Sequence, residues 1–399
     1  MSQLNGELCE WAERVSSKLP SLTRSQAWVL AMFSFGMVLT HSCGISTVAV
    51  FLGMLLEKKD NTVRQQLREF TYDAQDKRGS KRTAVEVEGC FGDLVRWVIS
   101  WWADEEKRLA LAMDATTFKA IFTVLTISVV YRGCAIPVAW CILPALKKEA
   151  WKDHWLRLLT LLTDAIPKEW TVIVLADRGL YAKWLYATIV KKGWHPFLRI
   201  NQQGLVRPCG TKRFRPLAGL VNRKRRSWSG QVQCFKTTEA QLTCTLLARF
   251  DPTYTDPWLV VTDLPPQVAD VAWYGMRSWI ECGFKDLKRG GWHWHQTRMT
   301  DPDRAARLWL VIALATLWVL SVGGYAEADV TASSLPYLPP YFPYRCRPKR
   351  ASQPRLVSCF ARGLLIILVA LIRGEPFPFA EFRPEPWPVS SIAFSNTYP

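Results

Sequence analysis

The eleven cysteines of this 399-residue chain include no CxxC pair, and its five histidines form no zinc-binding pattern. Thiols scattered singly and odd in number argue for a reduced, cytoplasmic setting rather than a disulfide framework. The first twenty residues, Met1 to Pro20, lack a basic region followed by an apolar run and a small-residue cleavage site, so no signal peptide is expected. Long apolar runs are also few: Ala27 to Leu39, Leu308 to Val322 and Leu364 to Ile372. Only the second approaches the roughly 18 to 20 residues a bilayer span requires. It follows Arg304 and Arg307 and is interrupted by Thr316 and Ser321, which favours a buried core helix, with no membrane partner expected.

Carboxylates are short as well. Thirty-four Asp and Glu face fifty-one Lys and Arg, a net charge of +17 with a pI near 9.5. Such an excess points to a polyanionic partner, nucleic acid before an anionic membrane surface. The length implies two or three structural units.

Residues from about Leu4 to Trp102 read as helices, with apolar periodicity through Gln26 to Thr40 and again through Thr47 to Leu56. After the break Glu57 to Asp60, Asn61 is the expected N-cap of a polar helix that exposes Arg64, Gln65 and Arg68. Helix, tight turn and arginine-bearing helix would suit a helix-turn-helix reader of the major groove, and equally a plain helical bundle. From Arg108 the pattern changes to strands. Leu109 to Met113 ends at Asp114; Ala120 to Tyr131 and Cys134 to Leu143 follow, joined by the turn Arg132-Gly133. A helix from Trp151 to Ile166, a buried parallel strand from Thr171 to Ala176 ending at Asp177, a helix from Leu180 to Lys192 and a strand from His195 to Ile200 complete a β-β-β-α-β-α-β order. That is an α/β layout with one sheet.

Between Asn201 and Thr262 this pattern stops. Ten cations stand against three carboxylates, among them the run Arg223, Lys224, Arg225 and Arg226. The alternating segments Ser229 to Lys236, Gln241 to Phe250 and Trp258 to Thr262 suggest a basic β-rich insertion suited to phosphate contacts. Further on, Tyr274, Arg277, Glu281 and Lys288 lie at offsets 0, 3, 7 and 14. At roughly 100° per residue they would share one helix face, opposite Trp273, Met276, Ile280, Phe284 and Leu287. The pair His293 and His295 is read as structural. A core helix starts at Asp301-Pro302, and from Ala326 onward the chain is proline-rich, holding twelve of its twenty-four prolines. It reads as an extended arm with one docked helix, useful for partner or DNA contacts. Asp114 and Asp177, each expected at a strand end, and Glu281 on its helix are then the candidate site. Three carboxylates brought together repel one another unless a cation neutralises them, and oxygen-only donors suit Mg²⁺ or Mn²⁺.

These residues also resemble a known family. Tyr274, Arg277, Glu281 and Lys288 are similar to the YREK signature of the IS4-type DDE transposases, the cut-and-paste group that includes the Tn5 transposase. Leu175 to Tyr181 resembles that family's second-aspartate segment, Met113 to Thr117 the first, and Thr297 to Arg307 the continuation beyond the glutamate helix. The resemblance covers roughly residues 109–322. It implies an RNase H-like core with Asp114, Asp177 and Glu281 as catalytic, metal-binding triad, holding two Mg²⁺ ions with Mn²⁺ as substitute. It implies phosphate contacts from Tyr274, Arg277 and Lys288, to which the basic residues Arg178, Arg223, Lys224, Arg225, Arg226 and Arg298 are added as DNA contacts. Trp228 would be the platform for a flipped base.

The implied organisation is a helical DNA-binding domain over 1–105, a core in two parts over 106–201 and 263–325, the basic β-rich insertion over 202–262 and a Pro-rich C-terminal arm over 326–399. The implied activity is cleavage at terminal inverted repeats and strand transfer into target DNA. A homodimer would hold paired double-stranded ends, associated with a bacterial nucleoid. A catalytically inactive, domesticated DNA-binding descendant is the alternative.

Overall fold

A computed structural model describes residues 2–79, 82–102, 107–145, 150–222, 226–250, 256–328 and 356–390. Five helices come first: α1 (Ser2–Lys18), α2 (Arg24–Thr40), α3 (Ile45–Leu55), α4 (Asp60–Thr71) and α5 (Phe91–Ile99). Thr23 starts α2 with a capping box, its hydroxyl taking the Gln26 N–H while the Gln26 side chain takes the Thr23 N–H. Every residue of α2 from Leu30 to Val38 is buried, so this part of the helix has no solvated face and lies within the core, while Arg24, Ser25 and Trp28 at its start are exposed. The chain then bends by 99° into α3. Helix α4 begins one residue before the expected cap, with Lys59 at the N-cap and Asn61 already inside the first turn. Val63, Leu67 and Phe70 face inward and Arg64 is exposed. Gln65 instead bonds Glu69 at 2.8 Å, and the Arg68 guanidinium lies 5.8 Å from the centre of the Tyr72 ring.

The α/β layout expected from the sequence is present, in one sheet of mixed direction. Strands β1 (Arg108–Phe118), β2 (Phe122–Tyr131) and β3 (Cys134–Pro144) form an antiparallel meander. Arg132 and Gly133 join the last two as a two-residue loop, both with positive φ (45° and 79°), the conformation of a type I′ hairpin turn. All ten residues of β2 are buried, which explains its lack of alternation. Helices α6 (Lys152–Thr163) and α7 (Lys183–Lys191) lead into β4 (Thr171–Ala176) and β5 (His195–Arg199), parallel to β1 and to each other. The basic stretch that follows contributes β6 (Leu205–Pro208), β7 (Arg215–Pro216), β8 (Ser227–Cys234), β9 (Leu242–Arg249) and β10 (Trp258–Thr262). Its strands do not form a sheet of their own. β10 pairs with β5, giving the ten-strand order β3-β2-β1-β4-β5-β10-β9-β8-β6-β7.

After the short helices α8 (Ala272–Gly275) and α9 (Trp279–Lys285) comes α10 (Pro302–Ala328), 27 residues long. It is long and apolar enough to cross a membrane, yet 94% of its most apolar window is buried within the fold. Its Arg307 is almost fully enclosed and fully engaged: it donates to Val85 O at 3.3 Å and Thr71 O at 3.0 Å and pairs with Asp73 at 2.6 Å. A buried guanidinium is tolerable only when so satisfied. This one ties the helical first hundred residues to α10, and the larger of two apolar clusters runs from Leu8 in α1 to Phe382, the smaller holding Tyr274, Met276, Trp279 and Ile280.

The expected docked helix of the tail is α11 (Cys359–Arg373). As far as residue 390 the part beyond it is extended. It lies on its own fold: Phe377 N–H donates to Glu7, Trp318 Nε1 to Pro378 O, Arg383 N–H to the Tyr131 hydroxyl, and Ser390 N–H to Asp270. Apolar Phe377 and Phe382, both buried, explain why it docks rather than extending into solvent. The basic run Arg345 to Arg350 lies outside the described residues.

Helices α10 and α11 meet through glycines. A Cβ on Gly363 would come 2.0 Å from Val319 O, and one on Gly323 2.0 Å from Cys359 O, so backbone would have to move. Gly363→Ala is therefore expected to cost about 1–3 kcal/mol or more of unfolding free energy, as overpacking does. Denaturant melts of the variant check this; an unchanged midpoint would contradict so close an approach.

Candidate active site

The last register pair of β1 and β4 is Met113 with Ala176. The next residue on each chain is an aspartate, so Asp114 and Asp177 emerge side by side where the parallel ladder ends. Asp177 lies beyond its strand, as expected. Asp114 does not: β1 runs on to Phe118 because its hairpin with β2 continues after β4 has stopped, and Asp114 pairs with Thr126. Rigid strands therefore present both carboxylates, one from within the sheet and one from its rim. Asp114 Oδ1 accepts the Ala115 N–H at 2.9 Å and Asp177 Oδ1 accepts the Arg178 N–H at 2.7 Å.

Their other oxygens meet a cation. Arg277 Nη2 lies 2.7 Å from Asp114 Oδ2 and 4.0 Å from Asp177 Oδ2, while its Nη1 lies 2.5 Å from Glu281 Oε1. One guanidinium, its side chain only 14% exposed, thus joins the three candidate carboxylates. Glu281 is the most open of them, at 56%, against 18% for Asp114. Burial pushes the Asp114 carboxyl above its usual range; Arg277 and the Ala115 N–H oppose this, and Glu281 and Asp177 add to it. Burial also disfavours the charge on Arg277, but Asp114, Tyr274, Asp177 and Glu281 outweigh it and keep the guanidinium protonated.

With the side chains so placed, no group of three His, Cys, Asp or Glu among the described residues is close enough to hold a metal ion, His293 and His295 included. In donor type and charge the carboxylates nevertheless fit a hard divalent cation. All their donors are oxygen, and the point at which they meet already holds a positive group. Arg277 would have to turn aside for the oxygens to close on an ion.

The helix carrying this motif is not continuous. α8 passes through a 3₁₀ turn (Met276–Ser278) into α9 and then a π turn (Asp286–Gly290), in which Lys288 leaves helical geometry at φ −92°, ψ −105°. The four motif residues do not share one exposed face. Tyr274 is buried, edge-on to Trp258 at 5.2 Å, and its hydroxyl is bonded to Arg199. That corrects the expectation that it contacts phosphate directly. The apolar face is as expected in Met276, Ile280 and Leu287, with Trp279 added. Lys288 reaches the site despite the break, because the π turn folds it onto β1: its Nζ donates to Thr116 Oγ1 at 3.0 Å and Thr117 O at 3.4 Å. Burial lowers its pKa.

The other expected DNA contacts are dispersed. The Arg178 guanidinium pairs with Asp256 at 3.0 Å. Arg226 is exposed, whereas Arg223, Lys224 and Arg225 lie outside the described residues. Arg298 is exposed and lines a separate cavity. Trp228 is 2% exposed inside β8 and cannot offer a ring face to a flipped base. Arg199 and Asp256 had no sequence signal, since their partners come from distant segments. Thr116 sat in the stretch already marked around Asp114.

Residues 149–318 match the family model described as a transposase DDE domain. That stretch contains Asp177, Arg277, Glu281 and Lys288 and starts downstream of Asp114. The comparison with curated proteins gives no match. The domain match supports a transposase, and with it an RNase H-like core, DNA as substrate and nuclease or strand-transferase chemistry.

Five residues beyond Glu281, burial raises the Asp286 carboxyl to about 7, with Lys285 pulling it back. A carboxyl whose folded pKa exceeds its unfolded value of about 3.9 contributes stability below that value and loses it as pH rises towards 7. Asp286→Asn should therefore remove part of the decline in melting temperature between pH 5 and pH 8. Parallel pH profiles for the two proteins would show that Asp286 does not titrate in this range.

Proposed function

We propose that this chain is a cut-and-paste transposase of the IS4 type, using Asp114, Asp177 and Glu281 to cleave DNA at terminal inverted repeats and transfer the strand into target DNA. The observation that supports the reading is the convergence of those three carboxylates on Arg277. They come from a strand interior, a strand end and a helix far apart in the sequence. Like charges gather this way only where a cation is intended, and the domain match gives that arrangement a chemistry. Two Mg²⁺ ions, or Mn²⁺ in their place, held by Asp114, Asp177 and Glu281, would activate the attacking water or 3′-hydroxyl and stabilise the leaving oxygen.

The chain's own residues do the rest. Strands β1 and β4 fix Asp114 and Asp177, so those two vary little in position, while the open Glu281 completes the set from the helix. Arg277, once released from the carboxylates, is suited to grip a phosphate with two parallel N–H bonds beside the reacting strand. Lys288 adds a point charge from the β1 side, steadied by Thr116. Tyr274 acts from behind, its hydroxyl joined to Arg199 under the helix that carries Arg277 and Glu281. The basic stretch with Arg226, together with the overall charge of +17, supplies attraction for the duplex. Paired ends bound by a homodimer follow from the same reading. The inactive descendant is the weaker alternative, because all three carboxylates and their cation are kept.

Asp114→Asn, Asp177→Asn and Glu281→Gln should each reduce metal-dependent cleavage of end-bearing DNA by at least about 10³-fold, the scale on which loss of a metal-borne stabilisation acts. DNA binding, followed by electrophoretic shift, should persist. Cleavage by all three variants at the wild-type rate would sink the assignment.

Arg277 generates a separate expectation. Replacing it by alanine leaves three carboxylates with no internal counter-ion, so Mn²⁺ should raise the melting temperature of Arg277→Ala more than that of the wild type. Equal shifts would mean that the guanidinium does not compete for these oxygens.

A further inference from the structure

The bend between α2 and α3, the first half of α4 and the segment from His293 into α10 enclose a cavity of about 540 Å³ that contains none of the three carboxylates described above. Three arginines line it from three elements: Arg64 on α4, Arg298 on the connecting segment and Arg304 in the first turn of α10. Among the described residues none of the three has an ion-pair partner. Arg304 lies over the Tyr72 ring at 4.3 Å, with its Nε buried and unbonded. The one carboxylate in the wall, Asp301, is engaged in starting α10, its Oδ1 accepting the Arg304 N–H at 2.8 Å. Helix α3 points its N-terminus into the same space, capped by Gly44 without a side-chain bond, and Ser46 and Thr47 of its first turn line the wall. Unpaired guanidinia and free helical N–H groups converging on one polar cavity are the chemistry of a phosphate site.

We propose that this cavity binds the sugar-phosphate backbone of a DNA strand running outward from the active site; the inference rests on the functional reading above and deepens it. Two observations favour a strand over a free anion. Arg64 and Arg298 are exposed, so the cavity is open along that side. Its wall also begins close to the reacting centre. His293 N–H donates to Lys288 O at 2.8 Å, and the Lys288 side chain holds Thr116, two residues from Asp114. A backbone leaving the carboxylates past Lys288 meets the cavity next.

The test uses the full chain carrying Asp177→Asn, which holds DNA uncut, and a random-sequence duplex of about 40 base pairs, because backbone contacts ignore sequence. The double variant Arg64→Gln/Arg298→Gln changes two exposed side chains and should melt as the parent does. Its affinity should fall at least tenfold at low salt, and its plot of log K against log salt should flatten by about two, one for each lost phosphate contact. Lys168→Gln/Lys191→Gln, an equal charge loss at exposed positions preceding β4 and β5 and so at the sheet end away from Asp177, is the control and should barely alter the slope. Slopes and affinities equal for the two double variants would overturn the proposal. It would also be overturned if Arg64→Gln/Arg298→Gln lost only a thermal shift induced by inorganic phosphate and kept its DNA affinity. If the wild type cuts DNA while the slope is unchanged, the cavity proposal alone fails; a wild type that neither cuts nor binds DNA removes the functional reading and the cavity proposal with it.

Discussion

Mutual repulsion among carboxylates is the constraint around which this protein is built. Asp114, Asp177 and Glu281 would each prefer water and distance, and half-burying them together raises the proton affinity of Asp114. The fold answers with Arg277, one residue able to touch all three. A planar guanidinium with donors on two nitrogens suits this role as an ammonium would not, because it can face two carboxylates at once. The same residue is therefore the neutraliser of the free protein and, in the function proposed above, the phosphate ligand of the loaded one.

Placing that cluster demands accuracy from the sheet. The parallel register that ends at Met113 and Ala176 brings two aspartates out together, and a slip of one residue would turn one of them to the opposite face. Burial on both sides fixes the register, from β2 on one side and from β5, extended by the five strands of the basic stretch, on the other. The long apolar helix α10 belongs to this scaffold. Its composition resembles a membrane span, yet its apolar surface is used against α2, α4, α11 and β3.

Much of this was legible in the sequence, for physical reasons. Fully buried strands show as continuous β-branched runs, so β2 and β4 were plain, and Arg132-Gly133 marked its hairpin through the positive φ that glycine accepts. The carboxylates stood out because polar residues interrupt apolar patterns. What local pattern could not carry was pairing over distance. The run of β1 beyond Asp114 depends on β2, the joining of the basic stretch to β5 depends on β10, and the bond from Arg199 to Tyr274 joins a strand to a helix 75 residues later. The helix break at Lys288 was invisible for a related reason. A 3.6-residue period carries the helix on to Lys288, with Gly290-Gly291 as its stop, whereas the π turn begins earlier, at Asp286, whose carbonyl takes the backbone N–H of the fully buried Trp292. In the tail, proline-rich composition speaks of local extension, which is present up to residue 390, and is silent about what the extended chain lies upon.

That tail carries a consequence for the order in which the molecule can be completed. Glu7 on the first helix is buried, and its carboxylate receives the N–H of Phe377, a residue 370 positions later. Until the ribosome has delivered that segment, the helix must leave an acid exposed or stay undocked, and the aromatic cluster of Trp11, Trp318 and Phe379 stays open. Contacts of such sequence separation close late. A nascent chain of this protein therefore has both aspartates and the glutamate translated well before its core is shut, and closure waits on a tail whose Trp387 packs on Trp273, beside the motif residue Tyr274.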